Sequence, residues 1–234
     1  MILRHLFLSG LVAALCGCDQ PKDEAAATSA PADTTSPRPA ILFLGTSLTA
    51  GYGVGPDRAY PALIQQKIDA AGLDYRVINA GVSGETSAGA LRRVDWLLQQ
   101  PVSVLVVETG ANDGLRGLPA DSLRSNIQAI LDRARQLQPS ARVILLGMRI
   151  PPNYGRAYSQ QFQGLYTDLA GANRVALVPF LLEGVGGISA LNQPDGVHPT
   201  AEGQRRMADT VWRVLEPVLR EVGQSGKGGQ VGKG

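Results

Sequence analysis

Residues 41–53 read Ile-Leu-Phe-Leu-Gly-Thr-Ser-Leu-Thr-Ala-Gly-Tyr-Gly. The apolar run stops at Gly45, and a helix-like pattern begins near Tyr60. A continuous apolar run closed by glycine is typical of a strand that is buried on both faces of a parallel sheet. Such sheets carry their chemistry in the loops beyond the carboxyl ends of the strands. Because Ser47 lies in that loop, it is the candidate nucleophile.

Strand-like and helical segments alternate from residue 40 onward. The strand-like runs are 40–44, 75–79, 102–108, 142–147 and 174–178. Helical periodicity is found in 86–99, 121–137, 156–170 and about 201–220. Pro217 is expected to kink the last of these helices or to end its regular part. The alternation predicts an α/β fold, with helices on both faces of a parallel sheet.

The first 17 residues have the form of an export signal, in which Arg4 precedes the apolar stretch 6–15. This stretch is too short to span a bilayer stably. The sequence Leu15-Cys16-Gly17-Cys18 resembles a bacterial lipobox, which predicts that Cys18 is lipidated and becomes the mature N-terminus. The alternative is an ordinary signal peptide that is cleaved nearby. Asp19 resembles an inner-membrane retention signal, so we expect a periplasm-facing lipoprotein of the bacterial cell envelope, at the inner membrane.

Four regions are predicted along the chain. Residues 1–17 are the signal peptide, and 18–39 are the lipidated cysteine and a flexible linker of mainly Ala, Pro, Thr and Ser. Residues 40–221 are the folded domain, and 222–234 are a disordered tail. The linker cannot bury enough apolar surface to offset its ordering entropy. As a random coil it would span about 25 Å, which would lift the domain clear of a membrane.

Composition excludes several classes of function. The chain has 234 residues, is 44% hydrophobic and carries a formal charge of +2 with no basic stripe, so no nucleic-acid partner is expected. Both cysteines, Cys16 and Cys18, precede the domain, which therefore has neither a disulfide nor a catalytic thiol. The Walker loop and the dinucleotide fingerprint are missing, and no metal site or cofactor is expected.

Any imidazole chemistry must use His198, because the other histidine, His5, leaves with the signal. His198 lies in Gln193-Pro-Asp-Gly-Val-His-Pro-Thr. Asp195 precedes it across an Asp-Gly turn, a spacing that can fold the carboxylate onto Nδ1 and fix the tautomer. Thr200 can then cap the last helix. The alternative is a surface turn in which Asp195 only shapes the corner.

Two further glycine-bearing loops follow strands, at residues 79–86 and at Gly110-Ala-Asn-Asp-Gly. In a parallel sheet both loops open on the same edge as Ser47. Their backbone N–H groups and the Asn112 amide could converge on a developing oxyanion. The alternatives are that both are simple turns, or that Ser83 is the nucleophile. The glycines beside Ser83 miss the Gly-x-Ser-x-Gly elbow by one position.

These segments together resemble one family. Gly45-Thr-Ser-Leu, Gly84, Gly110-Ala-Asn-Asp and Asp195-Gly-Val-His are similar, in order, to the four blocks of the SGNH (GDSL-type) hydrolases. The match runs from about residue 40 to 220, and the segments beginning at Asn112 and Arg149 look closest to the bacterial thioesterase I/lysophospholipase/arylesterase subgroup. The resemblance implies a flavodoxin-like, three-layer α/β/α sandwich with a five-stranded parallel sheet and no cofactor.

The resemblance also implies roles for individual residues. Ser47 would be the nucleophile, His198 the base and Asp195 its orienting partner. The backbone amides of Ser47 and Gly84 and the side chain of Asn112 would form the oxyanion hole.

The resemblance further implies that segment 149–158 lies over the acyl-binding groove. Its predicted substrate-binding residues are Tyr154, Gly155, Arg156 and Tyr158. One departure from the family is Thr46, which stands where the family usually has Asp. A threonine hydroxyl can still accept a hydrogen bond, but it carries no charge.

The expected function is that of a serine ester hydrolase, which acts through an acyl-enzyme on aryl or short-to-medium acyl esters. Acyl thioesters and lysophospholipids are further candidate substrates. One alternative is an O-acetyl carbohydrate or cell-wall esterase, although Trp96 and Trp212 fall in helical patterns and are predicted to be core rather than a sugar platform. Another is a non-catalytic ligand-binding lipoprotein, which only Thr46 supports. The sequence does not decide the oligomeric state.

Overall fold

The computed structural model describes residues 38–228, so the predictions for 1–37 and 229–234, including Cys18 as the lipid anchor, lie outside the described residues. Five strands form one parallel sheet in the order β2-β1-β3-β4-β5. The strands are β1 (Ala40–Gly45), β2 (Arg76–Gly81), β3 (Val104–Glu108), β4 (Arg142–Leu146) and β5 (Ala176–Val178). The predicted α/β fold with a five-stranded parallel sheet is confirmed.

Seven α-helices surround the sheet within the described residues. They are α1 (Ser47–Ala50), α2 (Tyr60–Ala70), α3 (Ser87–Leu97), α4 (Ala111–Leu115), α5 (Ala120–Leu137), α6 (Arg156–Asn173) and α7 (Ala201–Gly228). Helix α2 packs beside α7, whereas α5 packs between α3 and α6. Because parallel crossovers are right-handed, these two groups of helices cover opposite faces of the sheet. The result is an α/β/α sandwich.

The two central strands explain why the quoted stretch decides the fold. Every residue of β1 and of β3 is buried, whereas β2, at the edge, is partly exposed. In the register of the sheet, Phe43 of β1 lies between Asn79 of β2 and Val106 of β3. Each large apolar side chain that is fully buried contributes about 1.5–3 kcal/mol. An alternating amphipathic strand could not occupy this central position.

The strand order also sets the position of the site. The chain passes from β1 to β2 on one side and then crosses back to β3 on the other side of β1. In open α/β sheets, ligands bind in the crevice outside the carboxyl ends of the strands where the order reverses. The loop that carries Ser47 follows β1, and Asn112 follows β3. Both residues therefore lie at this crevice.

Two predictions about the helices were wrong. Helix α7 continues to Gly228, so the segment 222–228, predicted to be disordered, is helical. Val222 extends the apolar face that packs on the core, and Pro217 lies inside the helix without ending it. Trp96 was predicted to be core but is 68% exposed, whereas Trp212 packs against the core. Within residues 38–228, no helix combines the length and apolar character needed to cross a membrane.

Candidate active site

The nucleophile candidate lies at the start of a one-turn helix. Strand β1 ends at Gly45, and Ser47 is the first residue of α1, where it is 9% exposed. The N–H of Ala50 donates to the carbonyl of Thr46 at 2.9 Å. Gly51 then closes the turn in the left-handed region, at φ +76°, which glycine adopts without steric cost. This turn fixes the Ser47 side chain at the carboxyl edge of the sheet.

Three side chains from distant parts of the chain form a hydrogen-bonded series at this edge. His198 Nε2 lies 2.9 Å from Ser47 Oγ, and His198 Nδ1 lies 2.7 Å from Asp195 Oδ2. Ser47 and His198 are 151 residues apart in the sequence. The arrangement has the geometry of a nucleophile, a base and an orienting acid.

A tight loop before α7 brings Asp195 and His198 together. The N–H of Gln193 donates to the carbonyl of His198 at 2.7 Å, and Gly196 has φ +69° at the corner. Asp195 Oδ1 accepts the backbone N–H groups of Val197 at 2.9 Å and of His198 at 3.0 Å. Asp195 therefore shapes the turn and also contacts the imidazole, so the alternative in which it only shapes the corner was wrong.

These hydrogen bonds keep Asp195 ionised. The backbone N–H of His198, followed by its ring and the N–H of Val197, lowers the pKa of Asp195 from 3.8 to about 2. An ionised carboxylate can only accept hydrogen bonds, so Nδ1 of His198 carries a hydrogen. The lone pair of Nε2 then faces the hydroxyl of Ser47.

Gln193 connects the loop of the nucleophile to the loop of the base. Its Nε2 donates to the carbonyl of Tyr52 at 2.8 Å and to that of Pro199 at 3.0 Å. The ring of Tyr52 lies over His198, with 4.5 Å between the ring centroids. A Cβ at Gly53 would come within 2.1 Å of Gln193 Oε1. The contact between Gln193 and the loop of the nucleophile was not predicted from the sequence, where its local signal is Gly53.

Asn112 in helix α4, and Arg116 directly after this helix, hold the glycine-bearing loop at residues 79–86. Asn112 Nδ2 donates to the carbonyl of Glu85 at 2.9 Å and has a second hydrogen for a substrate oxygen. Arg116 Nη2 donates to the carbonyl of Gly84 at 2.8 Å, and Gly84 has φ +78°. The loop thus lies against Asn112, although Gly84 does not line the groove described below. Ser83 is exposed, and the imidazole contacts Ser47 instead.

An apolar groove of 380 Å³ opens beside Ser47, Asn112 and His198. Its volume is in the range of small-molecule sites. The other lining side chains are mostly apolar and come largely from the loops after β4 and β5. They include Leu48, Leu115, Met148, Ile150, Phe180 and Leu182. A cavity of 420 Å³ lies at the amino ends of β4 and β5, where its lining includes three arginines and none of the three candidate catalytic side chains.

The four predicted substrate-binding residues, Tyr154, Gly155, Arg156 and Tyr158, do not line this groove. Tyr154 and Tyr158 instead donate their hydroxyls to the carbonyls of Leu115 at 2.9 Å and Leu118 at 2.6 Å. Gly155 and Arg156 are exposed at the start of α6. The two tyrosines fasten the segment to the end of α4 and the loop after it, and the substrate-binding role of these four residues stays a prediction. The same segment lines the groove with Arg149, Ile150 and Pro151.

A buried carboxylate lies behind the nucleophile, and the sequence analysis missed it. Glu108 is fully buried at the end of β3 and accepts hydrogen bonds from Thr46 and Thr49. Burial raises the pKa of Glu108, and these hydrogen bonds act in the opposite direction. Thr46 therefore donates its hydroxyl hydrogen, whereas the sequence analysis considered it as an acceptor. The available signal was a charged residue that ends an otherwise apolar strand.

The described part of the chain offers no group of three His, Cys, Asp or Glu side chains that could hold a metal ion.

Comparison with known proteins shows the family of this chain. The model described as the GDSL-like Lipase/Acylhydrolase family matches residues 43–206. An esterase from Pseudomonas aeruginosa named TesA is 42% identical over 180 residues, which cover 76% of this chain and 89% of that protein. Thioesterase 1/protease 1/lysophospholipase L1 of Escherichia coli K12 is 38% identical over 181 residues, with coverages of 76% and 84%.

Solved structures agree with the sequence comparisons. The crystal structure of the psychrotrophic esterase EstA from a Pseudoalteromonas species, inhibited by monoethylphosphonate, has a TM-score of 0.73 and 37% sequence identity. The alignment covers 77% of this chain and 98% of that one.

Proposed function

This chain belongs to the GDSL-like Lipase/Acylhydrolase family and is a serine ester hydrolase, and we propose that Ser47, His198 and Asp195 perform the reaction through an acyl-enzyme. One observation carries the assignment, namely the 2.9 Å contact between Ser47 Oγ and His198 Nε2, with Nδ1 held by Asp195 at 2.7 Å. A hydroxyl is a weak nucleophile until an adjacent base can take its proton.

In the first half of the reaction, Ser47 Oγ attacks the acyl carbonyl carbon and its proton passes to His198 Nε2. The carbonyl π electrons move to the oxygen, which becomes an oxyanion. When the tetrahedral intermediate collapses, the bond to the leaving alcohol, phenol or thiol breaks, and His198 returns the proton to that group. Water then repeats the sequence on the acyl-enzyme and releases the acid. Only a neutral imidazole can accept the proton of the hydroxyl.

The oxyanion is proposed to accept hydrogen bonds from the backbone N–H groups of Ser47 and Gly84 and from Asn112. Asn112 lines the groove with Ser47, and one of its amide hydrogens is held by Glu85, which fixes the plane of the amide. Arg116 donates a hydrogen bond to the carbonyl of Gly84. Donors fixed before the reaction need no reorganisation, and each is typically worth about 10²–10³ in rate.

The proposed substrates are aryl and short-to-medium acyl esters, with acyl thioesters and lysophospholipids as extensions. The groove of 380 Å³ is lined mainly by apolar side chains, which suits an acyl chain better than a sugar. The related proteins are named as an esterase, an arylesterase and a thioesterase/lysophospholipase. Neither Trp96 nor Trp212 lines the groove, where Phe180 lies among aliphatic side chains, so the carbohydrate alternative lacks a tryptophan platform.

We test this function by hydrolysis of nitrophenyl esters of graded acyl length, together with labelling by a fluorophosphonate. Wild-type protein is expected to hydrolyse the short and medium esters and to be labelled stoichiometrically. Ser47→Ala should lose both activities, whereas Ser83→Ala should retain them. Labelling that survives in Ser47→Ala, or is lost in Ser83→Ala, would reject Ser47 as the nucleophile. Activity confined to acetylated sugars would favour the carbohydrate alternative.

Attachment to a membrane through Cys18 is a separate proposal, supported by the lipobox-like sequence at residues 15–18. Its test is incorporation of labelled palmitate during expression in a bacterium. Full-length protein should incorporate the label, and Cys18→Ser should not. Equal labelling, or none in either protein, would argue for an ordinary signal peptide.

A further inference from the structure

Within the part of the chain that the structure describes, the buried carboxylate of Glu108 has no partner of opposite charge. No Lys, Arg or His side chain within residues 38–228 forms an ion pair with it. Glu108 is 0% exposed and does not line the groove, so it cannot touch a substrate there. A buried carboxylate in this position must be stabilised by hydrogen bonds alone.

All of its hydrogen-bond donors come from the turn that carries Ser47. The N–H of Thr46 donates to Oε2 at 2.7 Å, and its hydroxyl donates to Oε1 at 2.9 Å. The hydroxyl of Thr49 donates to Oε2 at 2.9 Å. Glu108 therefore holds the residue before the nucleophile at two atoms and the residue two positions after it at one atom.

A tyrosine extends this set of hydrogen bonds away from the site. The hydroxyls of Thr49 and Tyr60 are 2.8 Å apart. Since the single hydrogen of Thr49 is given to the carboxylate, the Tyr60 hydroxyl must donate to Thr49. The direction of each hydrogen bond is thus determined, from Tyr60 to Thr49 to Glu108.

The glycine before the turn is required by the same contact. A Cβ at Gly45 would lie 1.9 Å from Thr49 Oγ1 and 2.9 Å from Glu108 Oε2. The glycine that ends β1 therefore leaves the space in which the carboxylate meets the turn.

From these contacts we propose that Glu108 is a positioning residue, whose carboxylate fixes the one-turn helix so that Ser47 Oγ stays within reach of both His198 and the substrate carbonyl. The proposal rests on the nucleophilic role of Ser47 proposed above. In this chain a hydroxyl–carboxylate pair between Thr46 and Glu108 is the anchor of the turn. For this role the side chain of Thr46 must donate a hydrogen bond, but it need not carry a charge.

A positioning role for Glu108 predicts an effect on kcat and none on KM. Glu108 lies outside the groove, so its replacement should leave KM for small esters unchanged and lower kcat. A displacement of about 1 Å in a reacting group can cost about 10²-fold in rate. In Glu108→Gln the side-chain NH₂ group faces N–H and O–H groups that are themselves donors, so the turn is no longer held in place. Its kcat should therefore fall about 10- to 100-fold.

The experiment compares four variants with wild type at a temperature well below their melting points. Glu108→Gln replaces one acceptor oxygen by an NH₂ donor, Thr46→Val removes one donor of the pair, and Thr46→Ser keeps the hydroxyl. Val106→Ala truncates a fully buried side chain on the same strand, away from the turn, and controls for lost stability. The measurements are kcat, KM, the rate of fluorophosphonate labelling, the pH profile and the melting temperature.

The proposal expects kcat and the labelling rate to fall together in Glu108→Gln and Thr46→Val, with KM and the acid limb of the pH profile unchanged. Thr46→Ser and Val106→Ala should keep kcat within about threefold of wild type, because neither variant displaces the turn. A displaced turn would cost far more in rate. The proposal is overturned by equal losses in Glu108→Gln and Val106→Ala, by a change confined to KM, or by a shifted acid limb. If Glu108→Gln does not fold, the comparison of kcat and KM between Thr46→Val and Thr46→Ser decides by the same criteria.

Ser47→Ala separates the two proposals. If it remains active, the proposed function fails whatever Glu108 does. If it is inactive while Glu108→Gln and Thr46→Val keep wild-type kcat, only the positioning role fails.

Discussion

Replacing Asp195 by Asn tests the orienting role of this residue with little change in shape. In the structure, Oδ1 accepts two backbone N–H groups, at 2.9 and 3.0 Å, and Oδ2 accepts the ring hydrogen of His198 at 2.7 Å. An asparagine can keep its carbonyl oxygen on the two backbone donors. Its NH₂ group must then face Nδ1 of the imidazole.

The expected loss follows from the tautomer. Facing an NH₂ donor, Nδ1 must accept, and the ring hydrogen moves to Nε2, which lies 2.9 Å from Ser47 Oγ. No lone pair then faces the serine hydroxyl, so the base is lost while all three side chains remain in place. In a Ser-His-Asp hydrolase this change costs about 10⁴ in kcat. At 1.36 kcal/mol per factor of ten, the barrier rises by about 5.4 kcal/mol.

The fold should hardly be affected. The side chain of Asp195 is 41% exposed and both backbone hydrogen bonds remain, so the free energy of unfolding should fall by only about 1 kcal/mol, through loss of the charged hydrogen bond to His198. The assay measures kcat and KM for nitrophenyl butyrate alongside the melting temperature. Asp57→Asn, the same chemical change at an exposed position on the same edge, is the matched control.

Two results would refute the reasoning. One is an Asp195→Asn enzyme whose kcat/KM stays within tenfold of wild type, because the tautomer would then not matter. The other is a loss of activity that parallels a large fall in melting temperature, because the effect would then be structural.

Four other changes have defined outcomes. Asn112→Asp, which removes the amide donor, should lower kcat about 10²–10³-fold in steady-state assays, and an unchanged kcat would exclude Asn112 from the oxyanion hole. The depressed pKa of Asp195 stabilises the fold above about pH 4, and this stabilisation is lost as the pH falls from 3.8 toward 2. The melting temperature of Asp195→Asn should therefore fall less between pH 4 and 2 than that of wild type, and parallel curves would contradict this. Gln193→Ala, which frees the carbonyls of Tyr52 and Pro199, should lower kcat about tenfold, consistent with a sub-ångström shift in spacing; wild-type kcat would show that the connection is dispensable. Ile150→Trp should fill the groove and lower the ratio of octanoate to acetate ester hydrolysis about tenfold, and an unchanged ratio would place the acyl chain elsewhere.

The contact between Ser47 and His198 could be anticipated from the sequence because each of these residues is marked locally. Gly45 ends the apolar run two residues before Ser47, and an Asp-Gly turn stands before the only histidine of the domain. Parallel strands bring the loops at their carboxyl ends to one edge, so the meeting of Ser47 and Asn112 also follows from the strand pattern.

Contacts between distant segments could not be predicted in this way. Thr46 and Thr49 are 62 and 59 residues from Glu108, and their hydrogen bonds depend on β3 lying beside β1. Tyr154 and Tyr158 turn away from the groove because carbonyl groups about 40 residues earlier accept their hydroxyls. In both cases the pairing is decided by packing, and no spacing in the sequence encodes it.

The walls of the groove and the reacting groups have different origins in the chain. Much of the wall comes from the segments 148–151 and 180–187, after β4 and β5, whereas Ser47 follows β1 and its base precedes α7. Recombination or directed evolution can therefore exchange the wall segments and retune which acids are released, while the hydroxyl and its proton acceptor stay as they are. Diversification of such enzymes is then modular, with new preferences arising at two short segments and the inherited chemistry preserved elsewhere.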